Sequence, residues 1–94
     1  MALFAVIGLG SFGATVALEL THLKHDVIGI DTEKKFVENI SDSISHAVIA
    51  DATDEHVLEE LNIKNCDAVL VAIGDDIEAS ILCVVFICLI FSSA

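Results

Sequence analysis

The sequence predicts an α/β fold, a parallel sheet with helices on both faces, and three observations carry that expectation. Short runs of Val, Ile, Leu and Ala recur between stretches with helical apolar spacing. Apolar residues make up 55% of the chain while Pro is absent and aromatics reach only 5%, so the core must be aliphatic, as in a sheet buried on both faces. Third, the segment Gly8-Leu9-Gly10-Ser11-Phe12-Gly13 falls where the first apolar run gives way to the first helical stretch. Strands alternating with helices at this spacing require right-handed crossovers and a Rossmann-like sheet of order 3-2-1-4, with its completeness at four strands left open.

Leu3, Phe4, Ala5, Val6 and Ile7 form the first strand, ended by glycine. Ala14, Val16, Ala17, Leu18 and Leu20 then suit a helix whose small residues allow close approach to a sheet, ending within residues 22–25. Val27, Ile28, Gly29 and Ile30 make a second strand closed by Asp31 and Thr32, and residues 33–40 a polar helix with Phe36, Val37 and Ile40 inward. Residues 41–45 read as loop and residues 47–50 as the third strand. Asp51, Ala52 and Thr53 turn the chain into a third helix with Val57, Leu58 and Leu61 on its apolar face, capped by Thr53 or Asp54. Residues 68–73 supply the fourth strand, ended by Gly74. Asp75, Asp76 and Glu78 then open a fourth helix, where acids suit the positive helix end.

Ninety-four residues suffice for one domain, residues 1–94, and leave no room for a separate catalytic domain. The net charge is −11, and Lys24, Lys34, Lys35 and Lys64 are scattered, so no basic patch exists to neutralise a nucleic-acid backbone. The acidity reads as a solvated outer face or as a cation-binding surface. Cys66, Cys83 and Cys88 are odd in number and lack metal-ligand spacing, which fits buried thiols in a reducing cytoplasm. The amino terminus has no secretory-signal pattern. The apolar run over residues 81–91 is shorter than the roughly 20 residues of a membrane-spanning helix and reads as a buried helix or exposed apolar surface.

The glycine segment carries the chemistry because of its context. Directly after a strand and opening a helix, Gly8 permits a tight turn, Gly10 lets a pyrophosphate approach the backbone, and Gly13 allows the helix to pack closely on the sheet. The free N–H groups at the helix start then hold phosphates. Asp31, at the end of the second strand, stands at the offset of the carboxylate that accepts hydrogen bonds from adenosine ribose hydroxyls; its charge, and the lack of any arginine, favour NAD or an adenine nucleotide over NADP. Asp51, Ala52 and Thr53 lie on the same carboxyl edge, where they serve either as an adenine pocket or as a helix-capping turn. Gly74 packs on the nucleotide or merely closes its strand. His22, His25, His46 and His56 read as surface histidines, the first three at element ends away from the ligand edge. No catalytic triad or paired-carboxylate arrangement is defensible.

Residues 4–13, residues 46–55 and residues 69–74 together resemble the TrkA-N domain, the regulatory domain, also termed RCK or KTN, of potassium channels and of the Trk and Ktr potassium transporters. The resemblance covers residues 3–82. It implies a cytoplasmic subunit, peripheral to the membrane through a channel or transporter partner, that binds NAD(H) or ATP/ADP and gates an attached pore as a dimer or higher homo-oligomer, without being an enzyme. The ligand residues it implies are Gly8, Gly10, Ser11, Phe12 and Gly13 for phosphates, Asp31 and Thr32 for ribose, and Asp51, Ala52 and Thr53 for adenine. Two features depart from the pattern. Ser11 stands where Ktr-like relatives often carry Arg, and the chain ends where family members continue into further strands.

The rival reading is the cofactor half of an NAD-dependent oxidoreductase, against which the missing substrate domain weighs; a remnant that only folds is the third. If the sheet stops at the fourth strand, the apolar run over residues 81–91 lacks cover, which predicts a homodimer or higher oligomer held by that segment.

Overall fold

Side-chain alternation along the strands divides the core into two layers, one on each face of the sheet. The computed structural model describes residues 2–72. In chain order these form β1 (Leu3–Ile7), α1 (Ser11–His22), β2 (Asp26–Asp31), α2 (Lys34–Ile40), β3 (His46–Ile49), α3 (Glu55–Glu60), a 3-10 turn (Ile63–Asn65) and β4 (Ala68–Val71). Ala5, Ile7, Ile28 and Ile30 pack with Leu58 and Ile63 in one layer. Val6 and Val27 pack with Leu9, Ala17, Val37 and Ile40 in the other. The helices α1 and α2 therefore lie on one face and α3 on the opposite one, which is what right-handed connections between parallel strands produce.

The sheet is parallel throughout, in the order β3-β2-β1-β4. The strand order and the layering both match the sequence expectation. Ile7 pairs with Ile30 on one side and Val71 on the other, and Asp31 pairs with Ile49. This register brings the carboxyl ends of all four strands to one edge, so the segments that leave them lie side by side.

Three local differences, and one choice left open between two caps, have physical causes. Glu33 is extended (φ −88°, ψ 113°) and precedes α2 rather than joining it. β3 runs His46–Ile49, one residue earlier than its apolar run suggests, because His46 pairs with Ile28. The cap of α3 is Asp54, whose carboxylate accepts a hydrogen bond from the His56 N–H at 2.9 Å. The 3-10 turn is absent from the sequence expectation; Asn62, left-handed at φ 56°, ends the preceding segment and drives Ile63 wholly into the core.

His25 is half-buried rather than a surface residue: its Nδ1 accepts the Ala2 N–H at 3.0 Å, and its ring meets Phe4 edge-on at 5.1 Å. His22, His46 and His56 are exposed. Cys66 is buried as expected, and that burial, reinforced by the neighbouring Asp67 charge, pushes its thiol pKa up from 9.0. Beyond β4 the Ala72 N–H still donates to the Ile7 carbonyl at 2.7 Å. The last residue of the expected fourth strand, Gly74, the fourth helix, Cys83, Cys88 and the apolar run over residues 81–91 lie outside the described residues. Among the described residues no helix is long and apolar enough to cross a membrane.

Candidate functional site

The turn after β1 needs glycine at two positions and has glycine at a third that nothing among the described residues demands. Gly8 sits at φ 99°, a conformation that L side chains rarely adopt, and its N–H reaches across to the Ile30 carbonyl at 2.7 Å. A Cβ on Gly13 would lie 1.7 Å from the Gly8 carbonyl oxygen, so the first turn of α1 rests directly on the end of the strand. Gly10 differs. Its backbone is ordinary (φ −69°, ψ −165°), and among the described residues a Cβ there would meet nothing within 4 Å. Neither backbone strain nor packing among the described residues requires glycine at position 10; what glycine leaves there is an open approach to the main chain.

At the same place the helix start presents unclaimed donors. Ala14 N–H makes the first intrahelical bond, to the Gly10 carbonyl at 2.8 Å, so the N–H groups of Ser11, Phe12 and Gly13 precede the helical ladder. Gly10 has no side chain to cap them, and no capping bond is formed. Free amides plus the positive end of the helix dipole make a site for an anion. Ser11 and Phe12 are exposed at its rim.

Asp31, on the neighbouring strand, already has work within the protein. Its Oδ2 accepts the Leu9 N–H at 2.7 Å and its Oδ1 accepts the Glu33 N–H at 2.8 Å, so one carboxylate braces the glycine turn against the entry to α2. An ionised carboxylate offers about four acceptor positions. Two are filled by the backbone; on half-buried Asp31 the others are not engaged among the described residues. Thr32 beside it is exposed. The spacing of the glycines does not reveal the part played by Leu9. Its side chain is 98% buried (2% exposed) in the α1–α2 layer, packed over the bare Cα of Gly29, which pins the turn from below while its N–H pins it from the side. The signal available in the sequence was an aliphatic residue inside a glycine turn, facing another glycine on the next strand.

Asp51 and Thr53 lie one residue apart on the same edge and lock each other. Asp51 Oδ1 accepts both the Thr53 N–H at 2.9 Å and the Thr53 hydroxyl at 2.5 Å, and these two bonds, the hydroxyl's first, hold the Asp51 carboxyl below its ordinary pKa of 3.8. The turn closes through Asp54 N–H to the Asp51 carbonyl at 3.0 Å. It follows β3, tied to β2 by Ala50 N–H to the Asp31 carbonyl at 3.0 Å. Ala52 points into the core at 5% exposure, so only its backbone is free for a ligand. The geometry thus brings residues 8–13, Asp31, Thr32 and residues 51–53 to one edge. Among the described residues no group of three or more His, Cys, Asp or Glu side chains is placed to hold a metal ion.

A braced turn with free amides beside a carboxylate is an arrangement that can receive an anion at the sheet edge, and comparison with known proteins bears on the fold and the family. The crystal structure of the NAD(P)-binding domain of an exopolyphosphatase-related protein from Archaeoglobus fulgidus superposes with a TM-score of 0.81 at 31% identity, over 93% of this chain and 65% of that one. Ktr system potassium uptake protein C of Bacillus subtilis is 47% identical over 79 residues, 84% of this chain and 36% of that protein. The Trk system potassium uptake protein TrkA homolog of Pyrococcus abyssi is 42% identical over 78 residues, 82% of this chain and 34% of that protein. The chain therefore spans about a third of the length of these curated relatives. The TrkA-N domain family matches residues 4–93, nearly the whole sequence, and the chain belongs to that family.

Proposed function

We propose that this chain is a single nucleotide-sensing domain, residues 1–94, that regulates potassium transport through a membrane channel or transporter subunit and performs no catalysis. The observation that supports it most is the combination at the sheet edge: a glycine with open space over its backbone, unclaimed amides behind it, and Asp31 fixed at the next strand end. The ligand is an adenosine nucleotide, NAD or NADH in the first place and ADP or ATP in the second. Its phosphates lie on Gly8, Gly10, Ser11, Phe12 and Gly13, its ribose on Asp31 and Thr32, and its adenine on the turn of Asp51, Ala52 and Thr53, with Gly74 as a further proposed contact. A 2′-phosphate is disfavoured by the Asp31 charge. The relatives' names, potassium uptake proteins of the Ktr and Trk systems, support the potassium-transport setting. Within this proposal the domain sits in the cytoplasm beside the membrane subunit and works as a homo-oligomer.

The deciding experiment is mass spectrometry of the nucleotide that copurifies with the protein, followed by calorimetry with NAD, NADH, ADP and ATP. Saturable binding of one of them is expected. Failure of all four to bind would refute the reading.

A further inference from the structure

The opposite edge of the sheet carries a second concave surface. Among the described residues a cavity of about 540 Å³ opens there beside the amino-terminal ends of β1, β2 and β3 and the end of α3. Leu3, Ile28, Val48 and Leu61 line it with apolar surface, the exposed side chains of Asp26 and Glu60 add two carboxylates, and Ser45 and the exposed His46 complete the lining. Asp26 is held in place: Ser45 Oγ donates to its Oδ1 at 3.2 Å while accepting the Val27 N–H at 3.2 Å. No lysine lines the cavity, although the chain has four. Its size lies within the range of roughly 300–1,000 Å³ that accommodates small ligands or a few inserted side chains.

Apolar lining with a negative rim, in a chain of net charge −11, calls for an occupant with apolar side chains and positive charge. Resting on the functional reading above, the available partner is a membrane transport protein, and the short cytoplasmic loops of such proteins are enriched in Lys and Arg. We propose that this groove docks a Lys- or Arg-bearing apolar segment from the cytoplasmic face of the membrane subunit. Asp26 and Asp31 occupy opposite ends of β2, about 16 Å apart at the rise of a parallel strand. Partner and nucleotide therefore engage opposite edges of one sheet and do not compete.

The test is a titration of the ¹⁵N-labelled full chain with a synthetic amphipathic Leu/Lys peptide, beside a Ser/Lys peptide of equal charge. Chemical-shift changes should concentrate at Ile28, Val48 and Leu61, and the Ser/Lys peptide should bind far more weakly. Glu60→Lys should weaken Leu/Lys binding by roughly tenfold, whereas Glu38→Lys, the same charge change on the exposed side of α2, should alter it by less than about twofold. Val48→Thr, which keeps the branched shape and adds a hydroxyl, should also weaken it. Equal losses for both charge reversals would mean that binding follows net charge alone and would overturn the proposal. So would shifts located elsewhere, or no binding because residues 73–94 or a second copy fill the groove. Calorimetry with nucleotide on the same samples keeps the two readings apart: peptide binding without nucleotide binding refutes the sensing function and leaves the groove standing, and the reverse result refutes only the groove.

Discussion

Two glycines three residues apart should fail in opposite ways, and the contrast tests the placement of the phosphate turn. In Gly13→Ala the new Cβ would sit 1.7 Å from the Gly8 oxygen and 2.8 Å from the Gly8 carbonyl carbon, both backbone atoms that no rotamer change can move. Either α1 shifts off the sheet or the turn opens, at the overpacking cost of about 1–3 kcal/mol. For a domain of this size that is a fall in Tm of roughly 4–20 °C. In Gly10→Ala the Cβ enters open space with φ already at −69°. The lower entropy of the unfolded chain stabilises by about 0.4–1 kcal/mol. The poorer N-cap offsets it by a comparable amount, about 0.5–1 kcal/mol. Stability should therefore stay within about 0.5 kcal/mol of the parent, while nucleotide affinity falls at least about tenfold because the methyl occupies the approach of the phosphates. Urea unfolding gives the first quantity and calorimetry the second. A Gly10→Ala protein that binds nucleotide normally would refute the position of the turn, and a Gly13→Ala protein of unchanged stability would refute the close packing behind it.

Other perturbations separate bracing from binding. Asp31→Ala removes the acceptor for two backbone N–H groups as well as the proposed ribose contact, so it should lower stability by about 1–3 kcal/mol together with affinity; loss of affinity alone, measured by unfolding and calorimetry in parallel, would contradict the bracing role. Leu58→Ala, at a side chain with no exposure, should cost about 2–5 kcal/mol in urea unfolding, and a cost under about 1 kcal/mol would show that α3 does not anchor its layer. The folded-state pKa of Asp51 is depressed, so its contribution is present above 3.8 and is lost as pH falls through the lower folded value. Because the group is exposed the effect is small. Thr53→Val should flatten the stability profile below about pH 4 relative to the parent, and superimposable acid profiles would remove the Asp51–Thr53 pair as its source.

The strands were legible because each is a short aliphatic run, buried most fully in the central pair β1 and β2 and only in part in β3 and β4, and their order followed from the crossover rules of a parallel sheet rather than from any one residue. The glycine turn was legible in part. Its steric logic at Gly8 and Gly13 is readable from a strand meeting a helix, and both positions behave accordingly. What spacing does not encode is which hydrogen-bond acceptors are already engaged. Asp31 reads as a ribose acceptor from its offset alone, yet two of its acceptor positions serve Leu9 and Glu33, a fact of backbone direction at the strand end. Ala52 was likewise invisible: one residue in a polar turn faces the core because Asp51 and Thr53 fold the chain over it. The 3-10 turn escaped because a left-handed Asn62 is permitted by that residue type but not demanded by it.

On the proposed reading, the division of donors at the turn bears on how so acidic a chain would hold an anionic ligand. With Ser11 at the helix start no side-chain cation stands within the glycine segment, and Asp31 adds a negative charge beside it. The attraction must come from the backbone, whose helix start carries about half an elementary positive charge. That field is useful only if the amides already point outward before the ligand arrives, since reorienting them would consume the binding energy. Asp31 meets this requirement by taking the Leu9 N–H for itself, and the buried Leu9 side chain fixes the same residue from the core. The amides of Ser11, Phe12 and Gly13 are left over, aligned by the first turn of α1 and unclaimed by any cap. On the proposed reading, then, the carboxylate acts twice: it accepts the ribose directly, and it settles which donors of the turn belong to the protein and which to the phosphates.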